Sequence, residues 1–148
     1  MKKKFTPYIN GYKNNFLAIH LRRGDYLENK HSCHGIIHEK YLVEEAKNQI
    51  SKINYEGITI FSDSPELIEK DIFRNLHKNI NIDKGGNPVE VFKRMSNHKG
   101  LITSNSSFSL WAGLLGEIKN LSIPYFWMKN VRSSVVGLKN IRRYRCLF

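Results

Sequence analysis

Two hydrophobic periods alternate along this chain. Short continuous apolar runs, the mark of strands buried on both faces, occur at Phe16–Leu21, Ile58–Phe61 and Gly100–Thr103. Asn79–Ile82 reads as another short strand. Between them the spacing changes to that of a helix. In 39–52 the apolar residues Tyr41, Leu42, Ala46 and Ile50 fall on one helical face. Ser64-Pro65 reads as a helix start, because proline suits the first helical position, and the predicted helix runs to about His77. Asn87-Pro88-Val89-Glu90 has the form of a capping box and opens a helix through about His98. Phe108–Leu115 carries no charge on any face and is predicted to be a buried helix. Ser122–Trp127 reads as a last strand, which Pro124 places near a sheet edge. Residues 1–14 form a polar lead-in and 23–38 a polar loop.

This strand–helix alternation predicts an α/β fold: an open, mostly parallel, Rossmann-like sheet with helices on both faces. The 148 residues fit a single domain, with a core over about 15–128. In such sheets ligands bind outside the carboxyl ends of the strands, at a switch in strand order. Three polar clusters occupy strand exits: Arg22–Asp25, Ser62–Ser64 and Ser104–Ser107. Three exits on one rim point to a site more strongly than any one of them.

Charge adds a ligand class. The net charge is +11, which implies an anionic partner such as a phosphorylated small molecule, a nucleic acid or an anionic membrane surface. Part of the excess, Lys2–Lys4 and Arg142, Arg143 and Arg145, sits near the two ends and reads as solvated basic tails. A nucleic-acid face normally interleaves basic residues with exposed aromatics, whereas the arginines of interest here sit at strand exits, so no nucleic-acid partner is expected. There is no run of about 18 apolar residues and no apolar segment behind the basic start, so the expectation is a cytoplasmic protein, with at most peripheral contact with the inner face of a membrane. Two cysteines without a CxxC indicate neither a disulfide framework nor a zinc site. His31, His34 and His38 flank Cys33, but no carboxylate or second cysteine completes a metal set, and no metal is expected.

Arg22 and Arg23 are neighbours in an extended segment, so their side chains leave in opposite directions. One can reach a ligand while the other pairs internally, with Asp25 as the nearest carboxylate. Guanidinium suits phosphate because it donates in a bidentate fork. Alone, Arg-Arg-Gly-Asp is equally the composition of a surface turn. Ser106 and Ser107 open a helix whose free N–H groups suit a phosphate, and simple N-capping explains the same serines. Asp63 suits a ribose or base, and capping of the next helix explains it too. His20 lies in an apolar strand, where a satisfied core histidine is the commoner outcome. There is neither GxxxxGK[ST] nor GxGxxG.

Read together, three stretches resemble a known family. His20-Leu21-Arg22-Arg23-Gly24-Asp25-Tyr26 matches the HxRRxD motif of the fucosyltransferase superfamily, in the form found in bacterial α-1,2-fucosyltransferases, glycosyltransferase family 11. Phe61-Ser62-Asp63-Ser64-Pro65-Glu66 resembles the family's second motif, and 104–112 resembles its third, with Leu110 where a tryptophan is usual. The resemblance covers roughly 16–128. It implies the donor-binding lobe of a GT-B enzyme that transfers fucose from GDP-fucose to a glycan hydroxyl, with inversion and without a metal or other cofactor, in surface-polysaccharide synthesis. By this resemblance Arg22 is the catalytic residue that holds the β-phosphate. Arg23 and Asp25 support the motif turn, and His20 contacts the nucleotide or braces that turn. Asp63 lies near the guanosine, and Ser106, Ser107 and Phe108 line the diphosphate side. No catalytic base is assigned. Family members are about twice this length, so the chain is expected to match the donor-binding half and to need a second lobe or protein partner for the acceptor. A non-catalytic GDP-sugar binder is the alternative.

Overall fold

The computed structural model describes residues 13–28, 33–129, 131–132 and 141–147. Lys2–Lys4 and His31 lie outside the described residues. In order, the elements are β1 (Asn14–Leu21), α1 (Gly24–Glu28), α2 (Glu39–Ile50), β2 (Gly57–Ser62), a 3-10 turn (Pro65–Leu67), α3 (Lys70–Phe73), β3 (Ile80–Ile82), α4 (Pro88–Ser96), β4 (His98–Ile102), α5 (Ser107–Leu115), β5 (Asn120–Pro124), β6 (Phe126–Met128), β7 (Val131–Arg132) and β8 (Arg142–Tyr144).

Six of these strands form one sheet in the order β3-β2-β1-β4-β5-β8, with every neighbouring pair parallel. The open α/β sheet expected from the strand–helix alternation is therefore present. The order reverses between β1 and β4, so the crevice beyond their carboxyl ends is the place where a ligand fits this topology. Leu17 to Leu21 are all buried, and alternate residues serve opposite layers. Leu17, Ile19 and Leu21 pack in a core with Leu42 and Ala46 of α2, while Ala18 packs in a second core with Met95 of α4 and Ala112 of α5. Full burial of each large aliphatic side chain contributes about 1.5–3 kcal/mol, which fixes the register of β1. His20, two residues after Ala18, falls on the α4–α5 side of the sheet.

Local signals account for several boundaries. Asn87 caps α4, its side chain accepting from the Val89 N–H at 2.9 Å. Other expectations are corrected. No single helix runs from Ser64 to His77. The 3-10 turn stops at Leu67, and Ile68 and Glu69 are extended before the one turn of α3. The loop expected over 23–38 contains α1. The strand expected over 122–127 ends at Pro124, and Phe126–Met128 pairs antiparallel with β7 in a separate two-stranded ribbon. Pro124 lies on the strand next to the sheet edge, as expected, with β8 as the edge strand beyond it.

Arg142 and Arg143 accordingly belong to a sheet strand and not to a solvated tail. The buried carboxylate of Glu45 takes Arg142 Nε at 3.1 Å and the Ser122 hydroxyl at 2.6 Å, and this ties β8 to α2. The helix α5 is also not buried all round. Its small residues Ser109, Ala112 and Gly113 face inward, and Trp111 is 54% exposed. A Cβ on Gly113 would lie 2.6 Å from Leu121, so glycine lets the helix sit this close to the sheet.

Candidate functional site

The carboxyl ends of β1, β2 and β3 and the start of α5 surround a cavity of about 430 Å³. Its lining includes His20 and Arg22 from β1 and its exit, Ser62 and Asp63 from β2 and its exit, Lys84 and Gly86 beyond β3, and Phe108 of α5. A pocket of this size beside the switch in strand order, on the β2 side of β1, suits a ligand of nucleotide dimensions.

The two arginines diverge, as extended geometry predicts. Arg22 stays at the cavity, with its side chain 31% exposed. It pairs with Asp25 at 2.8 Å and Asp63 at 3.2 Å, and its guanidinium lies 5.3 Å from the Tyr26 ring centre. Arg23 turns inward and is buried. It donates to the carbonyls of Arg22 at 2.9 Å and Ile37 at 3.3 Å and forms a close ion pair with Glu39. The internal partner is thus Glu39 and not Asp25, whose own partner is Arg22. Burial alone would raise the Glu39 carboxyl, but the Arg23 hydrogen bond, a backbone hydrogen bond and the Arg23 charge together hold it below its ordinary value.

Asp63 joins two exits. One oxygen accepts the Arg23 backbone N–H at 2.8 Å, and the other faces Arg22. Gly24 makes this approach possible, because a Cβ there would collide with that second oxygen. His20 is buried and shares a 2.8 Å hydrogen bond with Ser104. Burial pushes its imidazole down to about 4, the positive charges of Arg22 and Arg23 add to this, and Asp63 opposes it. The ring is therefore neutral at pH 7.

Ser106 precedes α5 with extended backbone, and its hydroxyl makes no capping bond. Ser107 begins the helix and is exposed. Phe108 meets Phe92 edge-to-face at 5.5 Å, and its ring centre is 6.5 Å from that of His20. Arg22, Asp63, His20 and Phe108 thus meet at one cavity, while Ser106 and Ser107 stand where α5 begins beside it. Among the outer histidines, His34 stacks on Tyr26 at 5.1 Å and His38 pairs with Glu39 at 3.5 Å. Among the described residues no three His, Cys, Asp or Glu side chains gather as a metal site would require.

Sequence reasoning gave no role to three contributors, although Asn105 stood in the polar cluster at 104–107. Glu39 lies 16 positions after Arg23, and no local pattern links them. Asn105 is buried, and its amide nitrogen reaches the carbonyls of His34 at 2.8 Å and of Gly35 and Trp127 at 3.2 Å, holding two outer segments against the exit of β4. The third is the segment after β3, which reads as a plain glycine turn and yet lines the cavity.

Comparisons with known proteins give the family. Residues 6–134 match the family profile of Glycosyl transferase family 11. An alpha-1,2-colitosyltransferase of Escherichia coli is 32% identical over 106 residues, which is 68% of this chain and 36% of that protein. The O-antigen biosynthesis glycosyltransferase WbnK of Escherichia coli is 31% identical over 120 residues, 76% of this chain and 39% of that protein. The chain therefore spans little more than a third of the curated relatives it matches. No solved structure matches it. No helix among the described residues is long and apolar enough to cross a membrane. With the matched profile running through all three strand-exit motifs, the chain belongs to glycosyltransferase family 11.

Proposed function

We propose that this chain holds the nucleotide-sugar donor of a fucosyltransferase, which moves fucose from GDP-fucose to a galactoside hydroxyl in surface-polysaccharide synthesis. The observation that carries the reading is Arg22, a guanidinium at a nucleotide-sized cavity, located at the switch in strand order. In the transfer, the sugar C1–O bond to the β-phosphate breaks, the acceptor hydroxyl oxygen bonds to C1 from the opposite face, and the hydroxyl proton passes to a base or to solvent. Negative charge then grows on the departing GDP. Arg22 and the start of α5, with Ser106 and Ser107, stabilise that charge as it develops, and electrostatic stabilisation of this kind is the largest catalytic term in many enzymes. In this reading the cationic work falls to Arg22 and the helix end, and no divalent cation is given a role. Arg23 and Asp25 set the Arg22 geometry, and neutral His20 braces the floor through Ser104.

The names of the relatives support a polysaccharide setting, since one is described as acting in O-antigen biosynthesis. The other is described as transferring colitose, so the sugar is the least constrained part of the donor assignment. The covered share of the relatives favours a second reading, in which this chain binds the donor and does not itself transfer it. Calorimetry with GDP separates the outcomes. Wild type is expected to bind, and Arg22→Ala to bind at least ten-fold more weakly, because a charge-assisted bidentate contact contributes well over 1 kcal/mol. Equal affinity in the two proteins would sink the assignment. Release of GDP from GDP-fucose with a galactoside present selects transfer, and binding without release selects the donor-binding reading.

A further inference from the structure

The segment after β3 is more ordered by its neighbours than a plain turn requires. Arg94 of α4 grips Asp83 with a fork, Nε at 2.7 Å and a terminal nitrogen at 2.8 Å. The same terminal nitrogen donates to the Gly85 carbonyl at 2.8 Å, and the Gly85 N–H returns to Asp83 at 2.9 Å. Gly85 and Gly86 hold φ of +73° and +110°, a region that glycine enters freely and other residues rarely do. Asp83 also continues the sheet, its N–H reaching the Ile60 carbonyl at 2.8 Å. One guanidinium thus holds Asp83 and Gly85 directly, and Lys84, Gly85 and Gly86 line the cavity.

The exit of β3 lies two strands from that of β1, so Lys84 and Arg22 line the cavity from different sides. Arg22 marks the anion end. The lining also includes the apolar Pro65, Pro88, Val91 and Met95, with Pro65 beside Gly85. Apolar walls with one positioned donor suit a planar heterocycle, not a phosphate. Asp63 already accepts the Arg23 N–H and faces Arg22, whereas the Lys84 ammonium has no ion-pair partner among the described residues. An ammonium donates and cannot accept. It therefore matches the O6 and N7 acceptors of guanine or hypoxanthine and mismatches the N6 amino group of adenine.

We propose that the Asp83–Gly86 loop is the nucleobase-reading element of the cavity, that Lys84 selects a 6-oxopurine, and that Arg94 is the positioning residue that holds the loop. This rests on the donor-binding reading above and adds the residues that choose the base. The test measures binding of GDP, inosine diphosphate, ADP and inorganic pyrophosphate to wild type, Lys84→Ala and Arg94→Ala. Wild type is expected to prefer both 6-oxopurine nucleotides to ADP. Each variant is expected to lose roughly ten-fold of that preference, within the range set by one good base contact. Pyrophosphate affinity is expected to stay as in wild type, because it reports on the Arg22 end. Arg94→Lys should recover part of the preference, since it returns a cation without the fork.

Lys84→Ala leaves the clamp intact and so keeps the test independent of loop folding. If wild type binds GDP and the preference over ADP is unchanged in Lys84→Ala and Arg94→Ala, the loop does not read the base and this proposal alone fails. An equal fall in pyrophosphate and GDP affinity also overturns it, by showing a general loss of anion binding. If wild type binds no nucleotide, the donor-binding reading fails and takes this one with it.

Discussion

At the exit of β1 a guanidinium and a carboxylate hold a glycine-containing turn from inside the protein. At the exit of β3 the same two groups do so from the surface. The Arg23 and Glu39 side chains are 5% and 22% exposed, while Arg94 is 42% exposed over an Asp83 side chain at 9%. Both clamps add bonds from guanidinium to backbone carbonyls, Arg22 and Ile37 in one case and Gly85 in the other. Removal of one partner from a buried pair leaves an unmet charge and unmet carbonyls in low dielectric, whereas at the surface water takes over part of the work. The inner clamp should therefore be coupled to global stability, and the outer one mainly to the shape of its loop.

The largest effect is expected from breaking the inner clamp. Arg23→Ala should cost about 3–5 kcal/mol in urea unfolding, because it leaves Glu39 without its cation and two backbone carbonyls without a donor. Arg23→Ala keeps the backbone N–H that Asp63 accepts, but it removes the side-chain bond to the Arg22 carbonyl and so frees the Arg22 backbone, and the folded fraction of this variant should bind GDP more weakly than wild type. A loss of stability below 1 kcal/mol would mean that the inner exit is no more coupled to the core than the outer one.

A pH experiment tests the same contrast by a different route. His20, on the inner exit, has its imidazole pushed down to about 4 by burial, against 6.5 when unfolded. Between those values the unfolded chain holds a proton that the folded chain lacks, so stability falls as pH drops from about 6.5 to about 4 and is flat above that range. The shift corresponds to roughly 3 kcal/mol at full development. Buried His98 is lowered in the same direction, chiefly by burial, and adds to the slope. Asp83 at the outer exit behaves differently. Burial would raise its carboxyl, but the Arg94 and Gly85 hydrogen bonds and nearby positive charge bring it below 3.8, so its contribution is lost only as pH falls further. His20→Leu should therefore flatten part of the slope between pH 6.5 and 4 in urea-midpoint measurements, and an unchanged slope would count against a neutral buried His20.

These exits also show which parts of the site could be read from the residues. The strands β1 to β4 and the helices at 39–50 and 88–96 were legible because each rests on local periodicity or a cap. The divergence of Arg22 and Arg23 was legible because extended backbone enforces it. Glu39 was not, since its partner arrives only through the packing of α2 against the sheet. The helix expected over 64–77 breaks because Ile68 and Glu69 leave helical geometry and Ile68 packs on the core, a tertiary gain that outweighs local propensity. The strand β8 was hidden by its own sequence, Arg-Arg-Tyr, in which Tyr144 alone is buried and its hydroxyl reaches the Thr103 carbonyl at 2.7 Å. The outer exit read as a turn because two adjacent glycines signal φ freedom and say nothing of what the loop faces.

The smallest effect on stability, and the one that sharpens the contrast most, is expected at that outer exit. Arg94→Ala removes a bidentate pair and one carbonyl contact, but Asp83 keeps the Gly85 N–H and water can reach the vacated side. The arginine half of the pair is open to solvent, and pairs that water can replace contribute up to about 1 kcal/mol, so the urea midpoint should shift by no more than that figure implies. The loop should lose order out of proportion to this, because Gly85 and Gly86 adopt their positive φ without help from side chains of their own. Amide hydrogen exchange at Gly85, whose N–H is bonded to Asp83, is then expected to accelerate at least ten-fold in the variant, while β1 and β4 amides keep wild-type protection. Uniform acceleration across the sheet would show that the outer clamp, like the inner one, is part of the global fold.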